Sequence, residues 1–337
     1  MTITIKQLID DKGRVQSGVF SCPVETINYL DYDLRTVMDR PRSRLARKWR
    51  FNQFQFVSVM SKHWVFGLAI VDLKLVSNGF FYLYDFESGE MLEQTFVKPL
   101  GRGTVIEPRP EDGVASFRSK QAQLRIIPGE EGRSISVTAG DTVRAMFELH
   151  EDRDPLRLSC PAGYNGWVFT RKSAGLPVTG EIRWGDRVWR CDDQPRGSID
   201  WSCGFMRRET AWNWACLAGQ LADGTSVGLN LATGVNESGM TENALWLDGR
   251  CIKLDLARFE FDRYDTSAPW RVATSDGRVD LRFVPSGVRK ERLNALVLAS
   301  NFRQYAGTFE GVVVDDEGKK IPIAGLRGLM EDHFARW

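Results

Sequence analysis

The sequence of 337 residues contains no apolar segment long enough to cross a bilayer. Its longest apolar stretches, such as residues 64–71, have the length of a strand, whereas a membrane-spanning helix needs about 20 residues. Residues 1–14 carry five charged side chains and lack the apolar centre of a signal peptide. We therefore expect a cytoplasmic protein with no stable membrane insertion.

Neither sign of charge is in excess. The 45 Lys and Arg residues nearly cancel the 44 Asp and Glu residues, which leaves a net charge of +1. A nucleic-acid-binding protein normally has a clear basic excess, so we expect no nucleic-acid partner. One local exception could contact an anionic ligand or a membrane surface, or could simply be a solvated face. Its cations are Arg35, Arg40, Arg42, Arg44, Arg47, Lys48 and Arg50.

The motifs of several reaction classes are absent. The six cysteines are scattered without a CxxC pair, and no Cys or His cluster has the spacing of metal ligands, so we expect no metal site. There is no GxGxxG after a strand, no GxxxxGK[ST] and no GxSxG. These absences argue against nucleotide cofactors and covalent catalysis, and we expect no cofactor.

A period of two dominates the pattern of apolar residues. Residues 80–86 and 143–149 are strand-like, and turn signals such as 77–79, 87–89 and 222–224 follow at short intervals. This spacing predicts an all-β fold of antiparallel strands closed into barrels or sandwiches. Helices should be few and short, such as a basic one over residues 42–50.

Two consecutive domains are expected, because a chain of this length exceeds what one core usually supports. A stretch marked by Gly and Pro at residues 173–177 indicates the boundary. Seven of the eleven tryptophans lie between positions 184 and 270. We therefore predict an N-terminal β domain over residues 1–175 and a tryptophan-rich β domain over residues 176–337.

A hairpin of residues 210–218 and 225–232 is the first candidate pocket wall. Symmetric pairing of position i with position 443 minus i would place Asn213 opposite Asn230, with Trp212 and Trp214 on the other face. Small side chains with two amides would suit a ligand pocket. Alternatively, the two amides bond each other and this face packs closely on another sheet.

Two carboxylates in the second half are candidate acids or bases. Glu242 should share a face with Trp246 in a strand over residues 241–246, where burial would raise its pKa. The alternative is a solvated Glu242 at a strand mouth, or one paired with an Arg. Asp200 lies between Arg196 and Trp201, where an ion pair that steadies a loop is the alternative to catalysis.

Two histidines complete the set of candidates. A strand over residues 328–337 would place Glu331, His333 and Trp337 on one face, and a carboxylate beside an imidazole can set its tautomer and basicity. The alternative is a salt-bridged closing strand. His63 precedes the apolar stretch 64–71 and could line a pocket, although a single histidine of this kind is usually structural or solvated.

Several segments resemble the domain-of-unknown-function family 2804: RGSIDW (196–201), TAWNWA (210–215), GLNLATG (228–234), TENALW (241–246) and EDH (331–333). That family is itself distantly similar to duplicated lipocalin-like proteins such as carotenoid hydratases and tocopherol cyclases. The resemblance implies two lipocalin-like β domains with a ligand in or between the barrels. It also implies cofactor-free acid–base chemistry on polyprenoids.

Three functions remain open. The first is a hydratase, cyclase or isomerase for a small hydrophobic, lipid- or isoprenoid-like molecule, with Asp200, Glu242, Glu331 and His333 as catalytic candidates. The ligand-binding candidates are His63, Trp201, Trp212, Asn213, Trp214, Asn230, Asn243 and Trp246. The second function is a carrier that performs no chemistry, and the third is a carbohydrate-binding β module with exposed tryptophans. We expect a monomer or a weak homodimer.

Overall fold

The computed structural model describes residues 4–236, 239–295 and 298–337. Within them the chain is almost entirely β-structure, with one α-helix and one 3-10 turn at Tyr29–Asp31. Helix α1 (Arg44–Arg50) begins after Ser43, whose Oγ accepts a hydrogen bond from the amide of Ala46, as an N-cap does. The prediction of an all-β chain with few short helices is confirmed.

The strands before residue 205 are β1 (Ile5–Gln7), β2 (Gly18–Val19), β3 (Val24–Thr26), β4 (Asn52–Met60), β5 (Trp64–Asp72), β6 (Val76–Asp85), β7 (Met91–Pro99), β8 (Thr104–Ile106), β9 (Ala115–Arg118), β10 (Ala122–Pro128), β11 (Gly132–Ala139), β12 (Val143–His150), β13 (Leu156–Ala162), β14 (Gly166–Trp184), β15 (Arg187–Arg190) and β16 (Arg196–Gly204). The later strands are β17 (Glu209–Gln220), β18 (Ser226–Thr233), β19 (Ala244–Leu247), β20 (Arg250–Lys253), β21 (Ala257–Glu260), β22 (Trp270–Thr274), β23 (Val279–Ala295), β24 (Leu298–Val314) and β25 (Lys320–Arg336).

The first large sheet runs in the order β7-β6-β5-β4-β16-β14-β12-β11-β10-β9-β8. Its strand β14 pairs with β13 and β16 through its first part and with β12 and β15 through its last part. The sheet therefore curls, and β8 and β9 pack against β5. Inside the curl lies a continuous apolar core that includes Val57, Phe66, Phe147, Trp167 and Trp201.

The second large sheet runs in the order β20-β19-β18-β17-β25-β24-β23-β22-β21. It also curls, because β21 at one end packs against β18. Its own core includes Leu229, Trp270, Phe283, Tyr305 and Phe309. All strand pairs in the two large sheets are antiparallel in the described residues.

The boundary between the halves lies later than residue 175. Strand β14 runs through residues 173–177 without a break, and the register shift between Ala174 and Leu176 marks a β-bulge. Gly175 has a φ of +80°, which glycine adopts without steric cost. By sheet membership the chain divides between Gly204 and Glu209, because β14, β15 and β16 all belong to the first sheet. The Gly and Pro residues here therefore bend a strand.

The β17–β18 hairpin also differs from its predicted register. Asn213 pairs with Thr233 and Cys216 with Asn230, three positions away from the predicted pairing. The reason is that the turn is centred on the Ala222-Asp223-Gly224 signal, where Gly224 donates its amide to Leu221. When the pairing register shifts by an odd number of residues, side chains that would have shared a face of the sheet lie on opposite faces. Trp214 therefore shares a face with Asn230 and Ala232.

No helix in the described part of the chain is both long enough and apolar enough to cross a membrane.

Candidate functional site

The outer faces of the two sheets enclose a cavity of about 270 Å³, here called the chamber. A smaller apolar cluster, which includes Tyr82, Tyr84, Cys216, Ala306 and Leu329, packs the sheets together beside it. Most of the side chains that line the chamber are apolar. A guest molecule would therefore lie between the two halves, with each half supplying one wall.

The first wall consists of two rows of directly paired residues, which share a face in antiparallel sheets. Strand β4 supplies the centre of each row, with Phe56 in one and Phe54 in the other. The rows read Lys172, Asp200, Phe56, Ala69, Phe80 and Ser202, Phe54, Val71, Asn78, Val97.

The second wall consists of three such rows, centred on β25. They read Ala232, Trp214, Glu331, Gln304, Arg289, then Trp212, His333, Phe302, Glu291, and finally Thr210, Ala335, Ser300, Leu293. Alternation along β25 therefore places Glu331, His333 and Ala335 on the chamber face, and Trp337 lines the chamber as well.

Lys172 holds two carboxylates at the junction of the walls. Its Nζ lies 2.5 Å from Asp200 Oδ2 and 2.9 Å from Glu242 Oε1. Burial alone would lower the pKa of Lys172, but the attraction of Asp200 and Glu242 outweighs it and raises that pKa. Ser202 donates to the other oxygen of Asp200. Two carboxylates share one ammonium group, so the cluster has one surplus negative charge when both are ionised.

Burial raises the pKa of Glu242 and outweighs the opposing effect of Lys172. The nearby charge of Asp200 adds to the rise, because two carboxylates beside one cation resist simultaneous ionisation. Glu242 is 3% exposed and lines the chamber. This site can therefore present a neutral carboxylic acid to an apolar guest.

Glu331, in β25 of the second wall, lies in a different environment. Trp212 Nε1 donates to one of its oxygens at 2.8 Å, and Gln304 Nε2 donates to the other at 2.9 Å. His333 Nδ1 lies 3.6 Å from Glu331, and Ser300 Oγ lies 2.9 Å from the other ring nitrogen.

Aromatic rings fix the imidazole of His333. The ring centres of Trp212 and Phe302 lie 4.2 Å and 4.9 Å from it. Trp214 meets Phe56 of the first wall edge to face, with ring centres 5.8 Å apart. The chamber thus combines aromatic faces with a buried carboxyl group at the junction of the walls and a carboxyl–imidazole pair on the second wall.

Arg289 contacts both walls of the chamber. Its guanidinium lies over Phe80 of the first wall and Phe302 of the second, at 4.2 Å and 5.1 Å from the ring centres. It also forms ion pairs with Glu93 of β7 and Glu291 of its own strand. This buried cation is a fixed positive charge at the chamber wall.

Six of the predicted site residues line the chamber: Asp200, Trp212, Trp214, Glu242, Glu331 and His333. Two of their predicted environments were wrong. Asp200 pairs with Lys172, whereas Arg196 donates to backbone carbonyls, because four residues of strand separate Arg196 and Asp200 by roughly 13 Å. Glu242 does not share a strand face with Trp246, because β19 begins only at Ala244.

The pocket wall that was predicted from Asn213 and Asn230 does not form. Asn230 accepts from Trp214 Nε1 and donates to the carbonyl of Glu242, while Asn213 donates to Asp332. The two amides therefore do not bond each other either, because the register shift separates them. Asn243 bonds the backbone of Ala232 and Asp255, which fixes the loop that carries Glu242.

Three further candidates lie outside the chamber lining. Trp201 is buried in the core of the first half, against Phe169. Trp246 is buried beside the β14 bulge, where its Nε1 donates to the carbonyl of Asp154. His63 is largely exposed and contacts Glu87.

Lys172, Arg289 and Gln304 line the chamber but are not among the residues predicted from the sequence. Lys172 lies in a strand that is otherwise largely buried, which is an unusual place for a lysine and was the one available signal. In the described residues, no three His, Cys, Asp or Glu side chains are grouped so that they could hold a metal ion.

The family comparison decides the classification. The profile of DUF2804, a domain of unknown function, matches residues 2–337. The chain belongs to this family. The predicted membership is therefore confirmed over the whole chain. Among proteins with curated functions, none matches this sequence.

Solved structures show the same fold. CghA aligns with a TM-score of 0.56 at 11% identity, covering 97% of this chain and 96% of its own. CghA with Sch210972 aligns with a TM-score of 0.54 at 10% identity, covering 98% and 97%. An AttH-like protein from Nitrosomonas europaea aligns with a TM-score of 0.52 at 14% identity, covering 85% and 92%. The duplicated lipocalin-like fold is thereby confirmed, and identities this low show the fold alone.

Proposed function

We propose that this member of DUF2804 binds a small hydrophobic molecule in the chamber and transforms it by cofactor-independent acid–base chemistry. Hydration, cyclisation and isomerisation are the reactions in this class. The observation that carries the proposal is the pair of buried carboxylates, Glu242 and Glu331, that face one apolar chamber from different environments. A binding protein for an apolar guest has no need of buried ionisable groups, which are costly to desolvate.

Glu242 is the proposed general acid. Burial and Asp200 favour its protonated form, and a neutral carboxylic acid can protonate an alkene or a carbonyl group. Lys172 then stabilises the carboxylate that remains after the proton has left. Asp200 is a positioning residue, because it holds Lys172 beside Glu242.

Glu331 and His333 form the proposed base. Trp212 and Gln304 donate to the two side-chain oxygens of Glu331, which lies beside the imidazole of His333. His333 or Glu331 can then accept a proton from the guest or from a water that adds to it.

Aromatic side chains supply stabilisation for positive charge that develops after protonation. Trp212, Trp214 and Phe56 line the same chamber as the proposed acid and base. Ring faces attract cations more strongly in a desolvated site than in water. The co-crystal of CghA with Sch210972 supports the view that a related fold can hold a small molecule.

A carrier without chemistry would use the same chamber, and only a turnover measurement separates it from the enzyme. A carbohydrate-binding module has less support, because it needs an exposed tryptophan platform. Of the tryptophans between positions 184 and 270, Trp189, Trp201, Trp214, Trp246 and Trp270 are buried.

The test begins with native mass spectrometry of protein purified from its own host, to identify a co-purifying lipid-like molecule. That molecule is then incubated with wild type, E242Q, E331Q and the control E25Q, which changes an exposed glutamate outside the chamber. Loss of a general acid or base should slow turnover by about 10² to 10⁴-fold while binding persists.

The outcomes separate the candidates. Turnover by wild type and E25Q, with loss in both chamber variants, supports the enzyme. Binding without turnover in any protein identifies a carrier. Failure of every apolar molecule to bind at micromolar concentration would exclude both.

A further inference from the structure

We propose that residues 35–50, here called the basic segment, and the adjoining rim of the chamber form a docking surface for an anionic lipid membrane. The inference rests on the proposed function, because a protein that takes up a hydrophobic molecule gains from reaching the bilayer where such molecules dissolve. Its supporting observations are the exposed apolar side chains, the unpaired cations and the position of the segment beside the chamber.

The basic segment exposes apolar side chains that a soluble surface has no reason to concentrate. Met38 is 77% exposed and lies with Val37 at the tip of a turn, which Thr36 fixes by accepting two amide hydrogen bonds. Leu45 and Trp49 are also exposed and are four residues apart, so they share one face of α1. Trp and long apolar side chains are the residues that enter the headgroup region of a bilayer.

The cations of the segment are largely unbalanced. Arg40, Arg44, Lys48 and Arg50 are exposed and have no ion pair within the described residues. Arg47 has a different task, since it donates to the carbonyls of Leu30 and Tyr32 and so anchors the segment to the first half. In a chain with a net charge of only +1, this is a strong local concentration of positive charge.

The segment adjoins the chamber on two sides. Helix α1 ends at Arg50, just before β4 brings Phe54 into the first wall. At the start of the segment, the carbonyl of Arg35 accepts a hydrogen bond from Asn165. Two residues before Asn165, Gly163 lies against the side chain of Arg207, which lines the chamber. The carbonyl of Arg208 accepts the amide of Trp337, and Trp337 lines the chamber.

The rim of the chamber is apolar where it meets solvent. Val97 and Leu293 line the chamber and are 61% and 47% exposed. Leu75 and Leu100 are likewise exposed and are joined by a backbone hydrogen bond next to the lining residue Val76. Exposed apolar patches bordered by charge mark interaction sites.

Charge complementarity selects an anionic membrane as the partner. The cations suit lipid headgroups and the apolar side chains suit the acyl region, whereas a nucleic acid would use only the cations. Each Lys or Arg near an anionic surface strengthens binding about fivefold, so loss of three cations should weaken it roughly 100-fold.

The experiment is co-sedimentation of the full chain with vesicles of phosphatidylcholine alone or mixed equally with phosphatidylglycerol. The test variants are R40Q/R44Q/K48Q for charge and M38S/W49S for apolar contact. The matched controls are K120Q/R125Q/R144Q and M146S, which change exposed residues of β10, β12 and the turn before β10. Circular dichroism establishes that each variant is folded.

Wild type should bind only the mixed vesicles, less at high salt, and both test variants should lose binding while both controls retain it. The proposal is overturned if wild type ignores anionic vesicles, if controls and test variants weaken alike, or if a DNA duplex binds in place of vesicles. Because no ligand of the chamber is needed, a failure here is distinct from failure of the chamber assay.

Discussion

Lys172 is the residue on which the charge balance of the chamber depends. Replacing it with methionine would leave Asp200 and Glu242 buried without their shared cation. Removal of one partner from a buried ion pair typically costs about 3–5 kcal/mol, so K172M should lower the free energy of unfolding by that amount. Urea unfolding measures this free energy. The control is K62M, which changes an exposed lysine. Equal stability of K172M and wild type would contradict the described ion pairs.

The titration of Glu242 should make the stability of the folded protein fall as the pH rises. Because its pKa is raised by burial, the folded protein holds this proton more tightly than the unfolded chain does. The stabilisation is therefore complete below about pH 4.5 and is lost as the pH rises through the folded pKa. E242Q removes the titration, so its stability relative to wild type should increase with pH. The measurement is the urea midpoint of both proteins at several pH values between about 4 and about 8, a range that starts near the ordinary pKa of a glutamate. A difference between the two midpoints that stays constant with pH would refute the prediction.

At the level of residues, local spacing was enough to select Glu331 and His333, because alternation along one strand places them together. Trp212 and Trp214 also share one face, but the predicted pocket wall was the opposite, amide face of their hairpin. Lys172, Gln304 and Arg289 could not be found like this, since each has its charged partner on a different strand. Pairing of distant strands, which the sequence does not encode locally, decides which charges meet.

The contact between strands β14 and β18 sets how closely the two sheets approach at one end. A Cβ on Gly228 would lie 2.3 Å from the backbone of Ala174, at the bulge of β14. Backbone cannot yield as a flexible side chain does, so G228A should destabilise the protein by about 1–3 kcal/mol. Thermal unfolding measures this. G129A is the control, since its new methyl group would meet only one atom, at 3.8 Å, and the prediction fails if the two variants lose equal stability.

At the level of elements, turn chemistry and alternation predicted the strands well and their pairing less well. The signal at residues 222–224 marks the turn of the β17–β18 hairpin, yet a register drawn from the strand ends alone was wrong by three. The Gly and Pro residues at 173–177 are equally compatible with a linker and with a bulge. Only the neighbouring strands β13 and β16 make the bulge the outcome.

At the level of the whole molecule, the all-β architecture and the two halves follow from composition and periodicity, whereas the chamber between them depends on how the sheets dock. Arg289 is a direct link across that junction, through Glu93 and Thr95 of β7. R289M keeps much of the side-chain volume but removes the ion pair with Glu93 and the hydrogen bond to Thr95, so it should cost about 2 kcal/mol.

Two spectroscopic probes should report the same loss of stability, because Arg289 contacts both sheets. Tryptophan fluorescence and far-ultraviolet circular dichroism should give coincident urea transitions in wild type and shifted transitions in R289M. R125M, at an exposed arginine of β10, is the control. An unchanged midpoint in R289M would show that the junction does not depend on this arginine.

The position of β25 has a consequence for synthesis. It is the last strand of the second sheet to leave the ribosome, yet it lies at the centre of that sheet, between β17 and β24. The four strands on its β17 side cannot join the four on its β24 side until it arrives. The first sheet, complete at β16, can fold while the rest is being made. The wall that carries Glu331 and His333 is therefore assembled last, against a partner surface that already exists.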